Sequence, residues 1–290
     1  VQRSGQGKFP FNELAYGKNG KSKRMMAETQ QVDFELTDSV ARLVFNQPRR
    51  HNAMSLSMWQ QLHAHMIRIT TGGHSYARVV VLSGAGDRSF VSGSDISEFT
   101  EKRSGDDAIK RYNRVAADAE KSVYDCPVPT IAAINGYCMG GGLGIAMGCD
   151  VRLCSDDAVF SLPAGRLGLG YEYDAVCKLF DILGPTATTQ LFYGGDRFDA
   201  QGALKMGLVT EVMPKAELDV VVDNLSQKIA SMAPLTLKAY KAALIEYRKP
   251  AAARDFAAIS QLVDDCYRSD DYAEGQVAFR EKRKPDFHGR

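Results

Sequence analysis

The sequence predicts an α/β protein whose last third is helical. Three observations predict it. Residues 79–82 and 130–134 are short apolar runs rich in β-branched side chains, the mark of strands covered on both faces. The segments between strands carry apolar residues at three- and four-residue spacing. From Asp174 onward the pattern is almost entirely helical. Strands alternating with helices, followed by helices alone, describe an α/β core with a helical carboxy-terminal region.

Residues 32–38 and 40–46 read as two strands around a turn, with Val40, Leu43 and Phe45 favouring extended backbone. Leu56, Trp59, Leu62, His63, Met66 and Ile69 then recur at helical spacing behind Ser55, a suitable N-cap. The run 79–82 ends in a Gly-rich turn. Residues 106–123 look helical and stop before a Pro-rich stretch. The run 130–134 leads into the glycine-rich segment 136–148, helical from about Gly141. Residues 151–154 and 159–161 are short strands. Seven helices are then expected over 174–183, 186–193, 199–206, 215–232, 235–246, 252–267 and 272–283. No repeat is visible in the sequence.

At 290 residues the chain is long enough for one large domain with an appendage. Hydrophobic residues at 44% and charged residues at 24% give an ordinary globular balance. A net charge of +1 offers no whole-chain field for nucleic acid or an anionic membrane. Cysteines at 126, 138, 149, 154, 177 and 266 form no CxxC pair, so packed free thiols in a reducing, cytoplasmic setting are expected, without a metal. Residues 1–25 are basic, acid-poor and unpatterned. They read as a leader, with 26–210 as the core and 211–290 as the helical region.

Two segments carry more glycine than packing requires, 89–96 and 135–144, the second with three consecutive glycines at 140–142. Each glycine inside a helix costs about 1 kcal/mol relative to alanine. The run is tolerable where a ligand approaches bare backbone or where the chain needs unusual dihedrals. Free N–H groups at a helix start attract negative charge, as the carbonyl of a thioester becoming an enolate requires. Close helix packing is the competing explanation. The P-loop and Rossmann patterns do not fit: no Lys-Ser/Thr follows the glycines, and their spacing is wrong.

Five segments in order resemble the crotonase (enoyl-CoA hydratase/isomerase) family: NQPRRHNAM (46–54), FVSGSDISEF (90–99), INGYCMGGGLGIAMGCDVRLCS (134–155), FDAQGALKMGLVTEV (198–212) and EGQVAFREKRKPDF (274–287). The resemblance implies a spiral of repeated strand–strand–helix units with a helical carboxy-terminal trimerisation region, in homotrimers or homohexamers. It also implies coenzyme A thioester substrates, with coenzyme A present as part of the substrate and no permanently bound cofactor. The main-chain N–H groups of Ser94 and Gly141 are the implied oxyanion donors. Ser92 and Ile96 match positions near the adenine, while Phe279 and Lys282 match positions that hold the nucleotide end.

The chemistry departs from the family's hydratases. Their two glutamates fall at Gly144 and Ala164 here, and neither residue can transfer a proton. General acid–base work contributes roughly 10²- to 10⁴-fold, so ordinary hydration should be crippled. Glu172 falls where some isomerases and dehalogenases of the family carry an aspartate. Tyr171 falls where its dihydroxynaphthoyl-CoA synthases carry one. Glu172 is therefore expected to move a proton, in a double-bond isomerisation that needs one relocating base. Tyr171 and Tyr173 are candidate donors, and Asp174 is expected to cap the next helix. Decarboxylation, thioester hydrolysis and a non-catalytic acyl-CoA-binding role are the alternatives. Arg166 reads as a surface residue, Asp150 as ordering a turn, and His63, His65 and His74 as no metal set.

Overall fold

The computed structural model describes residues 30–72 and 77–290; the segment 1–25 and His74 lie outside the described residues. In chain order β1 (Val32–Thr37), β2 (Val40–Phe45) and α1 (Leu56–Thr70) are followed by β3 (Val79–Gly84), β4 (Ser89–Val91), α2 (Phe99–Lys102) and α3 (Asp106–Tyr124). Next come β5 (Thr130–Ile134), β6 (Tyr137–Met139) and α4 (Gly141–Gly148), then β7 (Val151–Ser155), β8 (Val159–Ser161) and α5 (Tyr173–Gly194). The chain closes with β9 (Phe198–Asp199), α6 (Ala200–Lys205), β10 (Glu211–Met213), α7 (Leu218–Ala230), α8 (Pro234–Tyr247), α9 (Phe256–Arg268) and α10 (Asp270–Glu281).

The strand–strand–helix unit thus recurs. One sheet runs in the order β1-β2-β3-β5-β7-β10 and the other in the order β4-β6-β8-β9. β1 and β2 stay together as a hairpin of the first sheet, whereas from β3 onward the strand that follows crosses to the second sheet, β3 to β4, β5 to β6 and β7 to β8, and this repeated crossing makes a spiral. The β1–β2 hairpin turns on Asp38 and Ser39, both at positive φ (49° and 66°), as a two-residue turn between right-twisted strands requires.

Alternation along the central strands explains why they are apolar throughout. Val80, Leu82, Ala132 and Ile134 point into the main core, which includes Met58, Trp59 and Leu62 of α1 and Val123 of α3. Val79, Val81, Ile131 and Ala133 point the other way, onto Leu218 and Val222 of α7. Both faces are covered, so polar positions are lost from both.

Most expected elements are present. Ser55 caps α1, accepting from Met58 N at 3.2 Å. α5 is broken at Gly184 (φ 74°) ahead of Pro185, as two separate helical patterns there predict. The strands β4, β6, β9 and β10 were not expected; each is two or three residues long. β10 pairs with β7, and α7 packs on the main sheet, so the core extends past residue 210. Asp150 does order a junction: it accepts from Thr130 N at 2.9 Å and Oγ1 at 3.0 Å, and it pairs with the buried Lys241.

Candidate active site

Two short strands set the geometry. β4 and β6 are parallel neighbours, so they end on the same edge of their sheet and their following turns leave side by side. β4 runs into Gly93, at φ 116°, and β6 into Gly140, at φ 51°. Both values are open to glycine and costly for other residues. The turns touch: a Cβ placed on Gly140 would lie 3.8 Å from Gly93 Cα, and one on Gly141 would lie 3.8 Å from Ser94 Oγ.

Their flanking amides are used within the fold. Gly140 N donates to Ser161 O at 3.0 Å and Asp95 N to Met54 O at 2.9 Å. The N–H groups of Ser94 and Gly141 donate to no acceptor among the described residues. Both residues are half-buried, and the first N–H groups of a helix have no partner within it, so these two donors are left open to a ligand. Gly141 also opens α4, where the helix dipole adds to its pull on negative charge. Two donors from adjacent turns can share one oxygen, and this is what a developing oxyanion needs.

The floor is aromatic. A Cβ on Gly141 would come within 2.8 Å of Trp59 Cζ2, so the bare backbone there sits against the buried indole. The Tyr112 hydroxyl lies beside the Ser94 hydroxyl and donates to Met54 O at 3.3 Å. Burial pushes its proton affinity up, keeping it a phenol. Close packing explains Gly142 instead, since a side chain there would run into the Val91 main chain.

One turn along α4 stands Gly144, with about 4.5 Å of axial rise from Gly141. A Cβ on Gly144 would overlap Glu120 Oε1 and lie 2.8 Å from Glu120 Cδ. Glu120 comes from α3. Glu120 is half-buried and its carboxyl keeps some solvent contact, yet the protein around it pushes it up to about 7; the nearby Lys178 charge acts in the opposite direction. Glu120, Gly144, Met147, Leu162, Tyr171 and Lys178 line one narrow cavity. Burial depresses the Lys178 ammonium, whose Nζ lies 4.5 Å from the centroid of the Tyr124 ring. The Tyr171 hydroxyl is raised, first by burial and then by the Glu120 charge. Its ring stands edge-on to Phe192, at 5.1 Å between centroids.

Sequence reasoning therefore brings Ser94, Gly141 and Tyr171 to one neighbourhood, and it misses Glu120, Lys178, Trp59 and Tyr112. Glu172 stands exposed as the N-cap residue of α5, with no hydrogen bond from its side chain to the cap. It takes the capping position expected of Asp174, which lies in the first turn instead. Tyr173 is exposed. Ser92 N donates to His51 O, and Ile96 is exposed beyond the same turn. Phe279 stands out from α10 at 86% exposure, and Lys282 ends that helix in the left-handed region. Arg166 pairs with Asp196 on the surface, and the Cys138 thiol is buried and raised.

The family model for enoyl-CoA hydratase/isomerase matches residues 35–290. The chain belongs to the enoyl-CoA hydratase/isomerase family. It is 30% identical over 257 residues to a short-chain-enoyl-CoA hydratase of Clostridium acetobutylicum, covering 89% of this chain and 97% of that one. It is also 30% identical over 272 residues to the peroxisomal Delta(3,5)-Delta(2,4)-dienoyl-CoA isomerase of Arabidopsis thaliana, covering 90% and 97%. Among solved structures, an enoyl-CoA hydratase/carnithine racemase from Magnetospirillum magneticum superposes with a TM-score of 0.83 at 33% identity, over 90% of this chain and 96% of that one. The spiral described above is the crotonase fold. These relatives carry the names of different reactions, so membership of the enoyl-CoA hydratase/isomerase family leaves the reaction to be argued from the site.

Proposed function

We propose that this protein binds an acyl-CoA thioester, seats the thioester oxygen between the N–H groups of Ser94 and Gly141, and moves a proton on the acyl chain through an enolate. One observation carries the reading: two adjacent glycine turns present main-chain donors with no acceptor among the described residues. Such donors strengthen as negative charge grows on the oxygen, so they lower the barrier to losing a proton beside the carbonyl.

Double-bond isomerisation is the reaction that fits. Hydration in this family uses a pair of glutamates, and this chain has Gly144 and Ala164 at those positions. Isomerisation needs one group that takes a proton and returns it. Exposed Phe279 and Lys282 support a nucleotide-end contact for coenzyme A, and Tyr240, Leu244, Tyr247 and Tyr267 leave an apolar surface on α8 and α9 for assembly with further copies.

The test is a panel of straight-chain acyl-CoA and enoyl-CoA thioesters incubated in deuterium oxide and followed by mass spectrometry. Label entering the acyl chain, with a shifted double bond in 3-enoyl thioesters, is the expected result. Thioesters that bind without gaining label would mark a binding protein and overturn the enzyme reading. Bicarbonate release from malonyl-type thioesters, or free coenzyme A, would replace isomerisation with decarboxylation or hydrolysis.

A further inference from the structure

The carboxyl of Glu120 is placed unlike the surface acids among the described residues. It points from α3 into the cavity beside α4, at the level of Gly144, one turn from the Gly141 donor. Among the described residues it takes part in no hydrogen bond; what acts on it is burial and the Lys178 charge. An acid kept only to tie helices together would hold a hydrogen-bond partner, because a carboxylate partly withdrawn from water without one is costly.

We propose that Glu120 is the catalytic acid/base of this enzyme, reaching across the space that Gly144 leaves open. The inference rests on the oxyanion reading above and supplies its missing proton carrier. A Glu120 oxygen takes the α proton of a 3-enoyl thioester: the C–H bond breaks, an O–H bond forms, and the electron pair passes into the thioester carbonyl. The negative charge moves from the carboxylate to the enolate oxygen, held by Ser94 and Gly141. The same carboxyl then returns its proton to the γ carbon, and the double bond comes to rest beside the carbonyl. Charge and atoms balance without a further reactant.

Lys178 is the positioning residue. Its Nζ would lie 3.4 Å from a Cβ on Gly148, so it sits one turn of α4 beyond the carboxyl. From there it steadies the carboxylate without occupying its oxygens. The Tyr171 hydroxyl faces the carboxyl from the segment before α5, and Leu143, Gly144, Met147 and Leu162 bring no titratable group to the cavity. Lys178 in turn feels Cys149, Arg248 and Asp125. Burial holds Glu120 near neutrality, where a carboxyl can both take and return a proton.

The experiment compares wild type, E120Q, E172Q and K178M for exchange of the α hydrogens of butyryl-CoA in deuterium oxide, with calorimetric binding of the same thioester. In E120Q, exchange is expected to fall by about 10²-fold or more while butyryl-CoA still binds. The wild-type rate should rise with pH through a midpoint near the value of about 7 that burial gives the carboxyl. K178M should move that midpoint upward, because the lost cation favours the protonated form. Exchange by E120Q at the wild-type rate, or a collapse in E172Q in its place, overturns the assignment and leaves the oxyanion reading standing. Wild type that binds butyryl-CoA and exchanges nothing overturns both. Should E120Q fail to fold, an unmoved midpoint in K178M overturns the proposal.

Discussion

The carboxyl of Glu120 fills the space that a side chain on Gly144 would claim, with Cδ 2.8 Å from where that Cβ would stand. Two helices therefore compete for one volume, and α3 holds it because α4 offers only hydrogen. The contact is with the far end of a flexible chain, so a methyl on Gly144 displaces the carboxyl rather than the fold. G144A should lower proton exchange by about tenfold or more while leaving the melting temperature level or raised, since alanine favours a helix by up to about 1 kcal/mol over glycine. Exchange assays and thermal unfolding of the same preparation check both halves.

The same carboxyl makes stability depend on pH. Its folded-state proton affinity is raised to about 7. Between the ordinary carboxyl range and that value, the folded chain keeps a proton that the unfolded chain releases. Stability is therefore full below the ordinary range, declines as pH rises to about 7, and is level above it. At about 1.4 kcal/mol per pKa unit the decline is at most roughly 3 kcal/mol, and partial solvent contact reduces it. E120Q removes this slope. Its melting temperature should match wild type near pH 5 and exceed it at pH 8, as scanning fluorimetry across pH will show.

Asp150 anchors α8 to the sheet. Its carboxylate meets Lys241 Nζ at 2.6 and 2.5 Å, with the lysine side chain only 3% exposed. Removing one partner leaves a buried charge uncompensated, a loss of about 3 to 5 kcal/mol. K241M and D150N should each lower the unfolding free energy from denaturant titration by that order, and proton exchange at low temperature should survive in both.

Gly141 and Gly142 are adjacent and should fail differently. A methyl on Gly142 meets the Val91 main chain, which cannot yield, so G142A should give little folded protein. A methyl on Gly141 meets the Trp59 ring at 2.8 Å and shifts the N–H proposed to hold the enolate. G141A should fold, bind coenzyme A thioesters, and lose roughly 10²-fold or more in exchange. Soluble yield and exchange rate separate the two variants.

The long apolar runs and helical patterns made the main sheet and its helices readable from sequence, because period and burial coincide there. The strands β4, β6, β9 and β10 were not, since two or three residues carry no period and, unlike β8, these lie in turns or beside glycines and helix starts. β4 and β6 are defined by their pairing across 89–91 and 137–139. The donors at Ser94 and Gly141 could be named because glycine turns leave a local signature. Glu120 could not, because its partner Gly144 lies on another helix. One sign was present: Glu120 follows Ala116 by four residues and precedes Val123 by three, which puts an acid at the margin of the apolar stripe of α3. Glu172 attracted attention through its place between glycines, which says nothing of which way a helix start faces.

The touching turns at Gly93 and Gly140 divide the labour of this protein between two kinds of matter. In the reaction proposed above, what steadies charge is peptide backbone, set by strand pairing and indifferent to most changes of side chain. What carries protons in that proposal is a single side chain, held by one helix against a glycine of the next. Relocating a carboxyl would then change the reaction while the cradle for the anion stays in place.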